Sequence, residues 1–447
     1  MKTTLDRPKR WRIWACLIAL QSTPIIFPAM PPVISPAISG QTDTLTLDTV
    51  LAQADTAHPD LNLARAQEEA AQSEWALASS LNDFQLSLEG ALRSGRNAVY
   101  NDRFHPDHQI ALIARKKLYD AGRSETRSNA AREEVAARGL QIMETRAQRR
   151  LTLMARYFDV LIADMQYNAD TEFTAVNYVG WDNAKDRQAL GQMTQGELLE
   201  LEARYLESRS RRNDAGRKLR EKRMQLASAM SRTSLVLEEL IDPPLPGNNR
   251  KLPGLERLVT QAMAHNPKLR AQQQWLAAAR ERVAAARSDY RPYLELETSA
   301  SAWSRDASTR DEARAGLNFV IPLWQGNRQT ASVAREQARI AELEAQHSKL
   351  QMELRETLLN TWEEIQFLQD SERRNAEAWA AHKDMSLEKA RAEYELELKT
   401  NLGTSMAETQ VARLKRRSVE YRLALAWERL EALLGTPLTE VKTKEPA

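Results

Sequence analysis

Apolar residues recur every three or four positions over long tracts of this chain, and between those tracts the period shortens to two. In the first half Leu151, Met154, Phe158, Leu161 and Met165 step alternately by three and four, the seam of a coiled coil. Leu350, Leu354, Leu358, Ile365 and Leu368 form a looser stripe, and Val411, Leu414, Tyr421 and Leu425 another. These stripes predict helices of roughly 40 to 50 residues, about 60 to 75 Å long at 1.5 Å per residue. Residues 48–80 and 259–289 also read as helix, with Pro59 inside the first turns of the former. Strands are predicted where Leu86, Leu88 and Leu92 oppose Gln85, Ser87 and Glu89, and where Leu294, Leu296, Thr298 and Ala300 oppose Tyr293, Glu295, Glu297 and Ser299. A third sets Leu317, Phe319 and Ile321 against Gly316, Asn318 and Val320; Ile110, Leu112 and Ala114 make a weaker fourth with a basic end. Each run is about as long as the ~9 to 11 residues with which a tilted strand crosses a bilayer.

The pattern occurs twice. "AHPDLNLARAQEEAA" around Pro59 returns as "AHNPKLRAQQQWLAAA" around Pro267, "KKLYDAGR" as "IPLWQGNR", and "GELLELEARYLES" as "LGTSMAETQVARL". The paired positions Pro59 and Pro267, Leu118 and Leu323, and Glu202 and Glu408 stand 208, 205 and 206 residues apart. Two structural repeats are therefore expected at residues 41–240 and 257–437, each a helix, two strands and a long helical hairpin. Residues 241–256 between them carry the prolines and glycines of a linker, and 438–447 read as a flexible tail.

Composition agrees with extended helices: 42% of the chain is apolar, 6% aromatic, and only 15 residues are glycine. The 63 basic and 61 acidic residues are intermixed, which excludes the concentrated basic face of a nucleic-acid binder. Lys2, Arg7, Lys9, Arg10 and Arg12 precede the apolar "WACLIAL", so residues 1–40 read as an export signal, the boundary approximate. Pro24, Pro28, Pro31, Pro32 and Pro36 break that run short of the ~20 residues of a spanning helix. Cys16, the only cysteine, is a poor lipidation site because most of the apolar segment follows it; cleavage near residues 37–40 leaves no thiol.

Four short strands cannot close a barrel, and lipid does not tolerate open edges. Three copies would supply twelve strands, enough for a membrane barrel, with twelve long helices continuing below as a hollow cylinder. Fold class is thus mainly α with a small β part, a trimeric α-barrel continuous with a 12-stranded β-barrel. A soluble hairpin packed on the helices is the competing reading of the same alternation.

The duplicated layout, "HNPKL", "RPYLELETSAS", "IPLWQGNR" and "ARYFDVLIA" together resemble the outer-membrane efflux proteins of the TolC family over about residues 45–437. That resemblance implies a homotrimeric passive duct in the outer membrane of a Gram-negative bacterium, reaching into the periplasm. Its partners would be outer-membrane lipid, a periplasmic adaptor (membrane fusion) protein and an inner-membrane pump, with drugs or metal ions as cargo. Exit of proteins in type I secretion is the alternative cargo, and a soluble periplasmic coiled-coil adaptor or scaffold the competing function. No catalytic constellation or cofactor is expected. The departures are Lys117 in place of the proline seen as Pro322, Phe84 in place of Pro292, and Glu397 where the first half has Gly191.

In such ducts acidic side chains narrow the periplasmic entrance. The resemblance places Asp182 and Glu388 on these positions, with Asp186 and Asp384 within one turn of them, and threefold repetition would concentrate their charge into a ring favouring cations. Solvated surface acids are the plain alternative. Pro322, Gly326 and Gly122 mark the turns from strand to helix. His105 and His108 in "HPDH" read as an incidental pair in a surface loop, and Tyr100, Phe104 and Trp303 as aromatics flanking strand ends.

Overall fold

The computed structural model describes residues 44–56, 58–96, 104–234, 238–304, 311–324, 326–396 and 402–438. The export signal with Cys16, Tyr100, Glu397 and nearly all of the tail lie outside the described residues. In chain order the elements are β1 (Thr44–Leu45), α1 (Leu47–Leu51), α2 (Pro59–Ser79), β2 (Gln85–Ala91), β3 (Ser94–Gly95), β4 (His105–Pro106), β5 (Gln109–Tyr119), α3 (Arg123–Ala189) and α4 (Gln195–Ala229). There follow β6 (Glu239–Leu240), α5 (Leu255–His265), α6 (Pro267–Ser288), β7 (Tyr293–Trp303), β8 (Ala313–Val320), α7 (Arg328–Phe367), α8 (Arg373–Glu395) and α9 (Leu402–Leu434).

α4 and α9, with 35 and 33 residues, fall short of the length their apolar stripes predict, and other helical rods exceed it. α3 alone has 67 residues, about 100 Å at 1.5 Å per residue. α7 and α8 form one rod through a π-helical turn at Leu368–Glu372. The linker docks at that turn: Gln369 Nε2 donates to the carbonyls of Asn248 and Arg250 at 2.9 and 3.0 Å.

Elsewhere helices break where continuity is expected. The tract 48–80 splits into α1, a 3₁₀ turn at Ala52–Asp55 and α2, which begins at Pro59. The tract 259–289 splits into α5 and α6 at Asn266. Both breaks have one cause: proline lacks the N–H that an interior helical position must donate, and it drives the preceding residue out of the helical region. Accordingly His58 and Asn266 have ψ of 148° and 125°, and both cap the new helix with side-chain acceptors.

β2, β5, β7 and β8 form an antiparallel sheet in that order. The helices adjoining these strands pack in the same lateral order, α2 on α3, α3 on α6 and α6 on α7. Every strand therefore continues into the helix beneath it, and the sheet and the four-helix layer share one wall. Farther from the sheet, α3–α4 and α8–α9 are the two hairpins, with α3 against α9.

Two cores gather midway along the long helices, each under a short helix. Leu47 and Val50 of α1 cover Tyr157, Phe158, Leu161, Leu226 and Tyr421. Leu258 and Ala262 of α5 cover Leu358, Ile365, Trp427 and Leu430. A ribbon joins the ends of the first repeat, since β1 pairs in parallel with β6. Tyr157 fastens that ribbon: its hydroxyl donates toward the carbonyls of Leu45 at 2.9 Å and Ile241 at 2.5 Å. Burial, then the nearby Asp242 carboxylate, pushes the Tyr157 hydroxyl up to about 12, so it stays a donor. Tyr157→Phe leaves two carbonyls without this donor and is expected to cost about 1 to 3 kcal/mol, read as a lower midpoint in chemical denaturation. An unchanged midpoint would show the ribbon to be held by packing alone.

Candidate functional site

Two parts of the molecule answer to the sequence-derived candidates: the sheet and the hairpin tips. In an antiparallel ladder directly paired side chains share a face. The register aligns Leu88 with Leu112 and Ala300, Leu86 with Ala114, Thr298 and Ala315, Lys116 with Leu296 and Leu317, and Tyr119 with Leu294 and Phe319. This face is apolar except near its helical end. Opposite it lie Ser87, Glu89, Arg115, Lys117, Glu295, Glu297, Ser299, Ser301, Arg314 and Asn318. Arg115 ties that polar face together, with Glu297 at 2.8 Å and Glu89 at 3.8 Å.

The apolar face is uncovered: Leu86, Leu88, Leu317 and Phe319 are 61, 67, 62 and 62% exposed. Among the described residues β2 and β8 pair on one side only. An uncovered apolar face and two free edges are both costly in water, and both are satisfied by lipid and by further strands. The alternative of a soluble hairpin packed on the helices does not describe this sheet, which projects beyond the helical layer with its apolar face bare.

Lys117 has a visible consequence. Where Pro322 ends the second-half strand, Lys117 keeps its N–H, and β5 runs on to Tyr119 through a register shift between Lys117 and Tyr119. Beyond each strand end a glycine turns the chain into its helix: Gly122 and Gly326 have φ of +82° and +65°, a region that penalises a side-chain-bearing residue. Tyr290 Oη donates to the Gly326 carbonyl at 3.3 Å.

At the other end α3 closes on Gly191, with Gln192 N–H donating to the Arg187 carbonyl at 2.8 Å. Thr194 and Glu197 then form a reciprocal cap on α4. Hydrogen bonds from the Thr194 backbone and hydroxyl hold the Glu197 carboxyl below the usual range.

Asp182 and Asp186 lie on the last turns of α3, Asp384 and Glu388 on α8. The structure gives three of these acids a cation each. Asp182 pairs with Lys185 at 2.7 Å, Glu388 with Arg391 at 3.1 Å and Asp384 with Arg413 at 3.7 Å. Lys185 also sits 4.1 Å above the Trp181 ring. Its ammonium is held above the ordinary range by the hydrogen bond to Asp182, with smaller help from the charge of Asp186. Trp181 stacks on Tyr205 of α4, centroids 5.2 Å apart, and Tyr178 meets both edge-on. An aromatic cluster thus fixes the hairpin next to Asp182. Sequence reading passed over Lys185 and Arg391, although a spacing of three on a helix signals such partners.

His108 Nδ1 accepts the Arg93 N–H at 3.2 Å, and among the described residues no group of histidines, cysteines and acids is placed to hold a metal. Trp303 is the last residue of β7, and Phe104 is exposed beside β4. Among the described residues no helix is long and apolar enough to cross a membrane.

Residues 258–436 match the family model described as outer membrane efflux protein. Solved structures share the fold. CusC, whose structures describe transmembrane channel formation, is 19% identical with a TM-score of 0.68, covering 88% of this chain and 92% of its own. The outer membrane protein VceC of Vibrio cholerae is 17% identical at 0.67, covering 87% and 96%. The CmeC outer membrane channel of Campylobacter jejuni is 16% identical at 0.69, covering 87% and 85%. No curated protein sequence matches the chain significantly.

Proposed function

We propose, from a chain whose residues 258–436 match the outer membrane efflux protein family model, that the molecule is the outer-membrane duct of an export system. The family is one of channels rather than enzymes. The observation that carries the reading is the two-faced sheet: one bare apolar face, one polar face, and two edges that only further copies can satisfy. Three copies joined edge to edge, β8 of one to β2 of the next, make twelve strands with the apolar faces toward lipid. The wall of α2, α3, α6 and α7 continues each strand downward, so the same closure makes a helical tube. Residues 41–240 and 257–437 act as two structural repeats around the 241–256 linker.

The tube spans the outer membrane and reaches into the periplasm, where its hairpin tips meet an adaptor fed by an inner-membrane pump. Drugs or metal ions are the proposed cargo. Transport is passive, because no energy-converting site is needed in a duct. Asp182 and Glu388, supported by Asp186 and Asp384, line the constriction at those tips. Their partners Lys185 and Arg391 lie on exposed helix surface, where ion pairs exchange readily. Release of the acids toward the threefold axis then builds a cation-attracting ring.

Planar-bilayer recording tests the whole reading. Purified full-length protein is expected to insert as trimers with cation-selective conductance blocked by multivalent cations. Asp182→Asn with Glu388→Gln is expected to raise conductance or relieve the block. Unchanged conductance and block would remove these acids from the constriction while leaving the duct intact.

A further inference from the structure

Where β5 and β8 pass into α3 and α7, a cavity of about 600 Å³ opens between the first turns of those helices and the end of α6. Arg123, Arg127, Arg328 and Arg335 line it, and Asp289 is its only acid. Arg123 and Arg127 share that one carboxylate, at 3.5 and 3.1 Å. Arg335 holds Glu336 at 2.6 Å. Arg328 has no ion pair among the described residues. Arg123 already donates to the carbonyls of Ser288 and Asp289 at 3.1 and 2.9 Å and interacts with the Asp120 carboxylate. Four guanidiniums thus meet three carboxylates, and the surplus positive charge rests on Arg127, Arg328 and Arg335 in a concave site, which favours an anion. The planar guanidinium fork matches the oxygens of phosphate especially well.

Its position narrows the choice. The apolar face of the sheet ends just above, at Tyr119 and Phe319. Leu323 and Trp324, between β8 and Arg328, are 88 and 84% exposed. Exposed tryptophan next to arginine, at the end of an apolar band, is the arrangement of a membrane–water interface. We propose that this cavity binds the phosphate of an anionic lipid headgroup in the leaflet nearest the helical end of the sheet, an assignment that rests on the membrane reading above.

The test uses full-length protein in neutral detergent, with bound lipid counted by native mass spectrometry after addition of phosphatidylglycerol or phosphatidylcholine. Wild-type protein is expected to retain phosphatidylglycerol about tenfold more strongly. Arg127→Gln with Arg328→Gln should lose that preference, and Arg127→Lys with Arg328→Lys should keep part of it, because charge survives without the fork. A parallel arm adds inorganic phosphate. Arginine-dependent binding of inorganic phosphate with no preference for phosphatidylglycerol would overturn the headgroup assignment in favour of a soluble anion. Equal retention of both lipids by wild type and variant would overturn the site. Channel recording in phosphatidylcholine bilayers separates the two readings: conducting channels without lipid preference remove only the cavity's role, whereas wild-type protein that never inserts removes the membrane reading itself.

Discussion

Leu86→Arg combined with Leu317→Arg is expected to abolish stable insertion into lipid, while Ser87→Arg combined with Asn318→Arg is tolerated. Each pair differs from the other by one position along the same strands, β2 and β8. The register puts Leu86 and Leu317 on the apolar face and Ser87 and Asn318 on the polar one. Arginine facing lipid costs about 2 to 4 kcal/mol per site at the bilayer centre, less toward the helical end where Leu317 stands level with Lys116, and far less on a water-filled lumen. Threefold symmetry repeats each cost three times per tube. Liposome flotation and bilayer conductance measure the outcome. Equal behaviour of the two pairs would mean that neither face meets lipid, and the barrel would have to be abandoned.

Gly435→Val is expected to be the most damaging single change outside the sheet. Gly435 follows α9 with φ of +69°, a conformation that β-branched residues essentially do not adopt. A Cβ there would stand 2.4 Å from the carbonyl oxygen of His265 and 3.0 Å from Pro267 Cδ. Neither neighbour gives way easily, because His265 and Pro267 flank the α5–α6 break. That break is itself pinned by Asn266 Nδ2 donating to the Leu433 carbonyl at 2.9 Å. Left-handed strain of about 1 to 2 kcal/mol adds to overpacking of about 1 to 3. Thermal melting should fall by several degrees or the protein should fail to accumulate. Gly180→Ala is the contrast: nothing lies within 4 Å of a Cβ there, and alanine in a helix interior is favoured by about 0.5 to 1 kcal/mol. Similar melting temperatures for the two variants would refute the packing argument at Gly435.

Several misreadings of the sequence share a cause. Long helices were legible because an apolar seam such as Met154, Phe158 and Leu161 needs nothing beyond its own period. The breaks before Pro59 and Pro267 were missed since proline is tolerated in a first turn as well as at a helix start, and the stripe on either side does not reveal which. At the hairpin tips the acids were singled out and their partners were not. Lys185 pairs with the neighbouring Asp182 and also lies over the Trp181 ring, itself stacked on Tyr205 from the other helix. The Asp182–Lys185 pair is visible as a spacing of three, but the stacking of Trp181 on Tyr205 across the hairpin leaves no trace in local spacing. The arginine cavity was equally hidden, since Arg127 and Arg328 stand in different halves of the chain.

The order of residues by itself determined the main helical and strand tracts, though not the breaks before Pro59 and Pro267; it also determined which strand side chains share a face and where each wall turns at Gly122 and Gly326. These depend on local periodicity and backbone conformation, which neighbouring residues set. Only tertiary structure decided that β5 of the first half pairs with β7 of the second, that the sheet and the helical layer share one lateral order, and that the apolar face stands bare with both edges open. Those are contacts between segments far apart along the chain, chosen by competition among many apolar surfaces, and no local pattern encodes the winner.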